Sequence, residues 1–376
     1  MVQALENFLD WKKFNKFGFW NSKANQVAGI DIGSSSVKVV QLRKDKGQAV
    51  LETYGEIATG PYRGLAVGQA AALPPEKLID LIKDLFQEAN VTARSAYLSV
   101  PVSSSLLKII TIPRVEEALL NKVVPIEARK YIPVPVGEVA LDWWVLPKHE
   151  AETKEGSAAD PVLEILIAAI HSSVINQYQE LARAIGLESA FFELETFSAI
   201  RSVFGGEMAP TVILDMGAGT TKMAIVDYGI IRLSHTISKG SQDVTLTVSR
   251  ALNVDFAKAE EIKRKVGLVE RLVGGQDIAE TVSNIVEYIF LEANKAIAIF
   301  QEKQRRAISK IVLIGGGALL KGLLPLAGRS FEVPVVLGRP FAKVEAPAFL
   351  ADILNEAGSN FAIATGLALR RLGDLE

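Results

Sequence analysis

The sequence predicts a two-lobed α/β fold, and three observations carry that prediction. A β-hairpin with a glycine-bearing tip occurs once in each half of the chain. Apolar strands alternate with helical patterns from end to end. At 376 residues the chain is also too long for one compact core and suits two domains of ordinary size. In the first hairpin Val27-Ala28-Gly29-Ile30 runs into Asp31-Ile32-Gly33-Ser34-Ser35-Ser36-Val37-Lys38 and leaves through Val39-Val40-Gln41-Leu42. In the second, Thr211-Val212-Ile213-Leu214 runs into Asp215-Met216-Gly217-Ala218-Gly219-Thr220-Thr221-Lys222 and leaves through Met223-Ala224-Ile225-Val226. In both, a lysine follows the aspartate by seven positions.

Each part of the tip has a chemical reading. Gly33, Gly217 and Gly219 can take positive φ and carry no Cβ, which lets backbone N–H groups turn toward an anion. Ser34, Ser35, Ser36, Thr220 and Thr221 add hydroxyl donors. A carboxylate beside a phosphate repels it unless a cation lies between, so Asp31 and Asp215 read as outer ligands of a hydrated Mg²⁺. Lys38 and Lys222 either neutralise phosphate or, by strand alternation, point to solvent. One copy alone would pass for an ordinary tight hairpin, since Asp-x-Gly is common at turns. Two copies at identical spacing favour nucleotide binding.

Composition excludes several classes. The net charge of −2 leaves no nucleic-acid footprint. There is no cysteine, which removes disulfides and thiolate metal sites and fits a reducing cytoplasm. The three histidines, His149, His171 and His235, are far apart, which argues against a zinc site or a Ser-His-Asp triad. No apolar run approaches the ~20 residues that span a bilayer, and the N-terminus lacks a signal-peptide pattern, predicting a soluble or at most peripheral protein.

The elements follow in order. Residues 1–26 form an aromatic and basic leader in which Phe8, Trp11, Phe14, Phe17, Phe19 and Trp20 interleave with lysines. That composition fits an interfacial helix, a partner-docking arm or a strap folded back on the body. After the first hairpin, Pro74-Pro75-Glu76 starts a helix with Leu78, Ile79, Ile82, Leu85 and Phe86 on one face. Tyr97 to Pro101 is a buried strand with a proline stop, and Leu106 to Ile112 a second strand. Glu116 to Tyr131 reads as a helix that Pro125 kinks or breaks, and Val139 to Leu146 as a strand. Lys148 to Pro161 is a charged loop, Leu163 to Ile170 a strand and Ser173 to Ile185 a helix. The stretch at about 101–185 has the size of a compact inserted subdomain. Glu193 to Val203 is a helix, the second hairpin follows, and Asn253 to Lys265 and Thr281 to Arg306 are helical. Ile311 to Ile314 is a strand ending in Gly315-Gly316-Gly317, Val333 to Leu337 an edge strand, and Phe361 to Arg371 a closing helix carrying Gly366.

Taken together, the two Asp-x-Gly hairpins, the connecting helix around Glu195, the glycine turn at 314–317 and the closing helix resemble the actin, sugar-kinase and heat-shock-chaperone ATPase superfamily. Within it, residues 27–38 and the place of the insertion resemble the PilM family of type IV pilus assembly proteins, relatives of FtsA, while the Ala259-Glu260-Glu261-Ile262-Lys263 segment resembles the helix by which the superfamily holds the nucleoside. The resemblance implies an actin-like (ribonuclease H-like) fold with a mixed five-stranded sheet in each lobe. It places the first lobe at 27–205 plus 346–376, with the insertion, and the second at 206–345, with an outer subdomain at about 251–305.

It also implies ATP and Mg²⁺ as cofactors. Gly33, Ser34, Ser35 and Lys38 would face the phosphates from one lobe, and Gly217, Gly219, Thr220 and Thr221 from the other. Glu260 and Lys263, one turn apart, would reach ribose and adenine, or form a surface ion pair. Gly315, Gly316 and Gly317 would let backbone approach the adenosine, and Glu195 would orient a water or satisfy a helix end.

No general-base motif beside a polyol cleft supports a sugar kinase, and the tail Arg370 to Glu376 is too short for the membrane helix of FtsA. The favoured reading is a nucleotide-binding scaffold with at most slow ATPase activity. Its implied partners are the N-terminal tail of a PilN-like inner-membrane protein and other pilus assembly proteins. The location is cytoplasmic and peripheral to the inner membrane. An FtsA-like division or cytoskeletal ATPase is the alternative, and a small-molecule kinase a weaker one.

Overall fold

A computed structural model describes residues 25–147, 161–269, 272–273 and 276–373. The aromatic leader up to residue 24, the charged loop at 148–160 and the last three residues lie outside the described residues.

The chain opens with an antiparallel meander, β1 (Gln26–Ile32), β2 (Ser36–Asp45) and β3 (Gln48–Ala58). Helix α1 (Pro75–Glu88) carries proline at its first position, where the missing N–H costs nothing, and buries Leu81, Ile82 and Leu85. Strand β4 (Ser95–Val100) then lies parallel to β1. The chain next leaves the sheet for β5 (Ser105–Pro113), α2 (Glu117–Ala128), β6 (Val139–Val145) and β7 (Val162–His171), a three-stranded antiparallel sheet in the order β5-β7-β6. Helix α2 runs through Pro125 without stopping. After α3 (Ser172–Ala184), strand β8 (Ser189–Leu194) completes a five-stranded sheet of order β3-β2-β1-β4-β8, and α4 (Glu195–Val203) leads away.

The second half repeats the plan. Strands β9 (Thr211–Met216), β10 (Thr221–Asp227) and β11 (Ile230–Ile237) form the meander, and α5 (Ser241–Leu252) and α6 (Phe256–Val266) pack beyond it. The short strands β12 (Leu272–Val273) and β13 (Gln276–Asp277) precede the long α7 (Ile278–Gln304). Strand β14 (Lys310–Ile314), α8 (Leu323–Ser330) and β15 (Val335–Leu337) give the order β11-β10-β9-β14-β15, with β15 at the edge. The chain ends with α9 (Ala351–Ala357) and α10 (Ala362–Gly373).

Strand alternation assigns the second sheet to two cores. Val212, Leu214, Met223 and Ile225 face α5 to α8 in one, whereas Ile213, Ala224 and Val226 join the core of the first sheet, α4 and α10. The three-stranded sheet keeps a separate core around Ile110, Val124 and Ile167. Helix α10 is seated by two glycines. A Cβ on Gly29 of β1 would lie 2.0 Å from the Ala364 carbonyl oxygen, and one on Gly366 would lie 1.8 Å from that of Ser198 in α4.

Three local readings change. Glu193 lies within β8 instead of beginning a helix, because Ser189–Leu194 is buried on both faces beside β4. Helix α5 is absent from the sequence reading, since its Ser, Thr and Val residues have weak helix propensity. It forms because Val244, Thr245 and Val248 are buried and Asp243 accepts the Gly240 N–H at 2.9 Å. Asn253, expected inside the next helix, ends α5 in the left-handed region. Helix α3 buries Ile175, Leu181 and Ala182 in the core of the first sheet.

Candidate functional site

The two hairpin tips are built alike. Asp31 stands opposite Lys38 in the β1–β2 ladder, and Asp215 stands opposite Lys222 in the β9–β10 ladder. The Gly33 N–H donates to the Ser36 carbonyl at 3.1 Å, and the Gly217 N–H donates to the Thr220 carbonyl at the same distance. A Cβ on either glycine would lie 2.8 Å from that carbonyl. Close approach, not positive φ, therefore requires these glycines, because neither they nor Gly219 adopts the left-handed region. Their N–H groups close the turns, so the donors that remain are those of Ser34, Ser35, Ala218 and Gly219. None of these four has an acceptor among the described residues.

Both tips line one cavity of about 440 Å³. The two tips approach each other closely in its wall, since a Cβ on Gly219 would lie 3.6 Å from the Ser34 hydroxyl. The first tip is braced from behind. Ala71 N–H donates to the Ser34 carbonyl at 2.8 Å and Thr59 N–H to that of Ser35 at 3.0 Å. The same loop crosses to the second lobe, where the Ala70 N–H meets Gln242 Oε1 at 2.7 Å.

Every expected site residue lines this cavity except Thr221. Thr221 is fully buried and donates its hydroxyl to the Lys239 carbonyl at 2.9 Å. Strand alternation explains the split, because Lys222, its neighbour, points inward. Lys38 also points inward, 2.9 Å from Ser36 Oγ and 3.6 Å from Glu56. Asp31 accepts the Ser99 hydroxyl at 3.1 Å. Burial, with Asp215 adding to it, raises the Asp31 carboxyl above its usual range against the pull of Lys38 and Lys222. Lys222 lies 2.7 Å from Glu195 and 3.7 Å from Asp215. Burial disfavours its charge, but Asp215, Glu195 and Asp31 outweigh burial and raise its pKa. Glu195 has both oxygens engaged, Oε1 by the Val102 N–H and Oε2 by Lys222, each at 2.7 Å.

At the far end Glu260 and Lys263 pair at 2.6 Å, and Glu260 also accepts the Thr245 hydroxyl at 2.6 Å and Arg264 Nε at 2.7 Å. Burial pushes the Glu260 carboxyl up, yet the Lys263 ammonium and these bonds hold it below its usual range. Burial lowers Lys263, against the pull of Glu260. The pair is thus both an ion pair and part of the cavity wall. Gly315 takes φ 84°, and a Cβ there would lie 2.4 Å from Asp215 Oδ1, so the glycine turn sits directly on the second aspartate.

Glu56, Gly68, Ser241, Ser359 and Asn360 line the cavity too and were not anticipated. Glu56 had no local sequence signal, since the β2–β3 register that sets it opposite Lys38 is seen only in the structure. Ser359 and Asn360 had none, because they approach from the end of the chain: Gly315 N–H donates to the Ser359 carbonyl at 2.9 Å and Asn360 donates to Glu56 at 2.9 Å.

Between the two tips the wall thus offers backbone N–H groups, the tip lysines Lys38 and Lys222 and the aspartates Asp31 and Asp215. It suits an elongated polyanion with a polar body. Among the described residues no cluster of three or more His, Asp or Glu is placed to hold a metal ion directly. Asp31 and Asp215 both line the cavity, and two carboxylates so placed suit a cation that keeps its water shell.

The family model described as type IV pilus assembly protein PilM matches residues 29–372. The chain is similar to cell division protein FtsA of Pseudomonas aeruginosa, 24% identical over 355 residues that cover 84% of this chain and 83% of that protein. Among solved structures it is similar to a PilM–PilN type IV pilus biogenesis complex, with 24% identity, a TM-score of 0.77 and coverage of 93% of this chain and 99% of that one. It is also similar to the ethanolamine utilization protein EutJ of Carboxydothermus hydrogenoformans, with 15% identity, a TM-score of 0.53 and 98% of each chain covered. The fold is the actin-like one that the sequence resemblance implied.

Proposed function

We propose a function from one premise: the chain belongs to the type IV pilus assembly protein PilM family. As an actin-like member of that family, it acts in pilus assembly by binding ATP in the cavity and, in response, the cytoplasmic N-terminal tail of a PilN-like inner-membrane protein. The observation that carries the nucleotide half is the pair of matched tips lining one cavity. Their unpaired N–H groups, with Lys38 and Lys222, suit the phosphates. Glu260, Lys263 and the turn at Gly315 to Gly317 suit the nucleoside. A bound Mg²⁺ would offset phosphate charge, held through water by Asp31 and Asp215.

In this reading the first lobe spans 27–205 and 346–376 and the second 206–345. The partner groove lies between the first lobe and its three-stranded sheet, with the strand and helix at 106–131 as walls. The partner half is supported by the likeness to a PilM–PilN complex. Among the described residues no helix is long and apolar enough to cross a membrane. In this reading the chain works in the cytoplasm and reaches the inner membrane through its partner. Hydrolysis is slow, below ~1 s⁻¹. The engaged carboxylate of Glu195 supports that, since both oxygens already accept hydrogen bonds. The match to the PilM family model favours this reading over a division ATPase.

The test is calorimetric titration of a PilN-like N-terminal peptide into the full chain, with and without Mg·ATP. Nucleotide should bind and change peptide affinity at least about fivefold. Absence of nucleotide binding, equal peptide affinities in both states, or steady phosphorylation of a small molecule would each overturn the reading.

A further inference from the structure

One buried side chain joins the cavity to the three-stranded sheet. Glu195 is the first residue of α4 and its carboxylate is only 6% exposed. Through Lys222 it touches the outgoing strand of the second hairpin, and Lys222 in turn reaches Asp215. Through its other oxygen it holds the Val102 N–H, across 93 positions of sequence. Val102 begins the 3₁₀ turn Val102–Ser104, which runs directly into β5. Both contacts are charge-assisted, and the Glu195 carboxylate that makes them is buried, which strengthens its side of each bond. The sheet meets the second lobe again elsewhere: Glu164 on β7 lies 3.5 Å from Arg232 of β11 and 3.2 Å from Lys303 of α7.

We infer that Glu195 is a positioning residue that passes occupancy of the cavity at the second hairpin to the three-stranded sheet. The inference rests on the nucleotide reading above. A phosphate between the tips competes with Glu195 and Asp215 for the Lys222 ammonium. As Lys222 turns to the phosphate, Glu195 loses its cationic partner and its charge concentrates on the Val102 N–H. That bond tightens and the turn leading into β5 is held more firmly. The nucleotide thus reaches the sheet without touching it.

Val102→Pro cuts the link outside the cavity. Proline lacks only the N–H that Glu195 accepts, and its fixed φ suits the first position of a helical turn. Pro101, at φ −69° and ψ 144°, already has the extended backbone that a following proline demands. Hydrogen–deuterium exchange on the full chain, with and without saturating Mg·AMP-PNP, reads the response across residues 105–113 of β5. In the wild type the analogue should slow exchange there about fivefold, the scale of one strengthened hydrogen bond. Val102→Pro should bind the analogue within about threefold of wild type yet change exchange by less than about 1.5-fold. Glu195→Gln, with its own affinity measured, keeps an acceptor for Val102 but not the charge that Lys222 requires, and should lose the response as well. A full response in both variants would overturn the inference and point to the Glu164 contact as the route. Binding without any response in the wild type would overturn it alone. Failure of the wild type to bind the analogue would remove the nucleotide reading with it.

Discussion

Replacing Gly366 by alanine should destabilise the protein by about 2 kcal/mol, although alanine is the better helix former. The added Cβ would stand 1.8 Å from the Ser198 carbonyl oxygen. A carbon–oxygen contact needs about 3.3 Å, so α4 and α10 must separate by roughly 1.5 Å or bend. Both partners are backbone, and no rotamer change relieves the clash. Overpacking of this kind costs about 3 kcal/mol or more. The shift also disturbs the bond from Arg201 to the Gly366 carbonyl, 3.0 Å long, and with it the Glu193 pair. Against this stands a helix-propensity gain of about 1 kcal/mol. Gly328 supplies the control: it lies inside α8, and a Cβ there meets nothing within 4 Å. Gly328→Ala should therefore stabilise by about 0.5–1 kcal/mol. Urea and thermal unfolding of both variants, compared by the sign of the midpoint shift, need no assumption that the two lobes unfold together. Gly366→Ala shifting upward with Gly328→Ala, or not at all, would refute the claim that α4 and α10 cross at backbone contact. A folded Gly366→Ala variant should also displace α4, and with it Glu195.

Two titrating groups give further expectations. Because burial raises Asp31 above 3.8, its favourable contribution is complete below that pH and lost as pH rises through the folded value. Asp31→Asn should then raise the thermal midpoint of the ligand-free protein at pH 7 while weakening Mg·ATP at least about tenfold; a lower midpoint with unchanged affinity contradicts this. Glu193 has the opposite sign: burial pushes it up, but Arg201, Arg370 and Ser198 hold it below 4.5. Its contribution is present above that value and lost as pH falls through the lower folded one. Glu193→Gln should cost about 3 kcal/mol at pH 7 and shrink the acid-induced loss of stability. An unchanged acid limb in urea melts would sink that assignment.

The hairpins were legible because they are local. Eight contiguous residues set each tip, and equal spacing gave equal registers and equal turn bonds. Even the one misplaced site residue, Thr221, could have been corrected from the parity of its strand against Lys222. Helix α5 was not legible, because its weak helix formers are held by burial against a sheet that local pattern does not show. The conformation of the tip glycines was not legible either. Sequence says that a glycine is needed but not whether φ or close packing needs it, and here packing does.

By itself, then, the sequence determined two matched hairpins, their aspartates and lysines, and the apolar strands that bury them, since turn chemistry and strand alternation act over a few residues. Only the tertiary structure decided which side chains share the cavity. Asn360 meets Glu56 across 304 positions, and Glu195 spans from Val102 to Lys222. Such contacts depend on how α4 and α10 seat against the sheets, and that seating is fixed by backbone approach at Gly29 and Gly366.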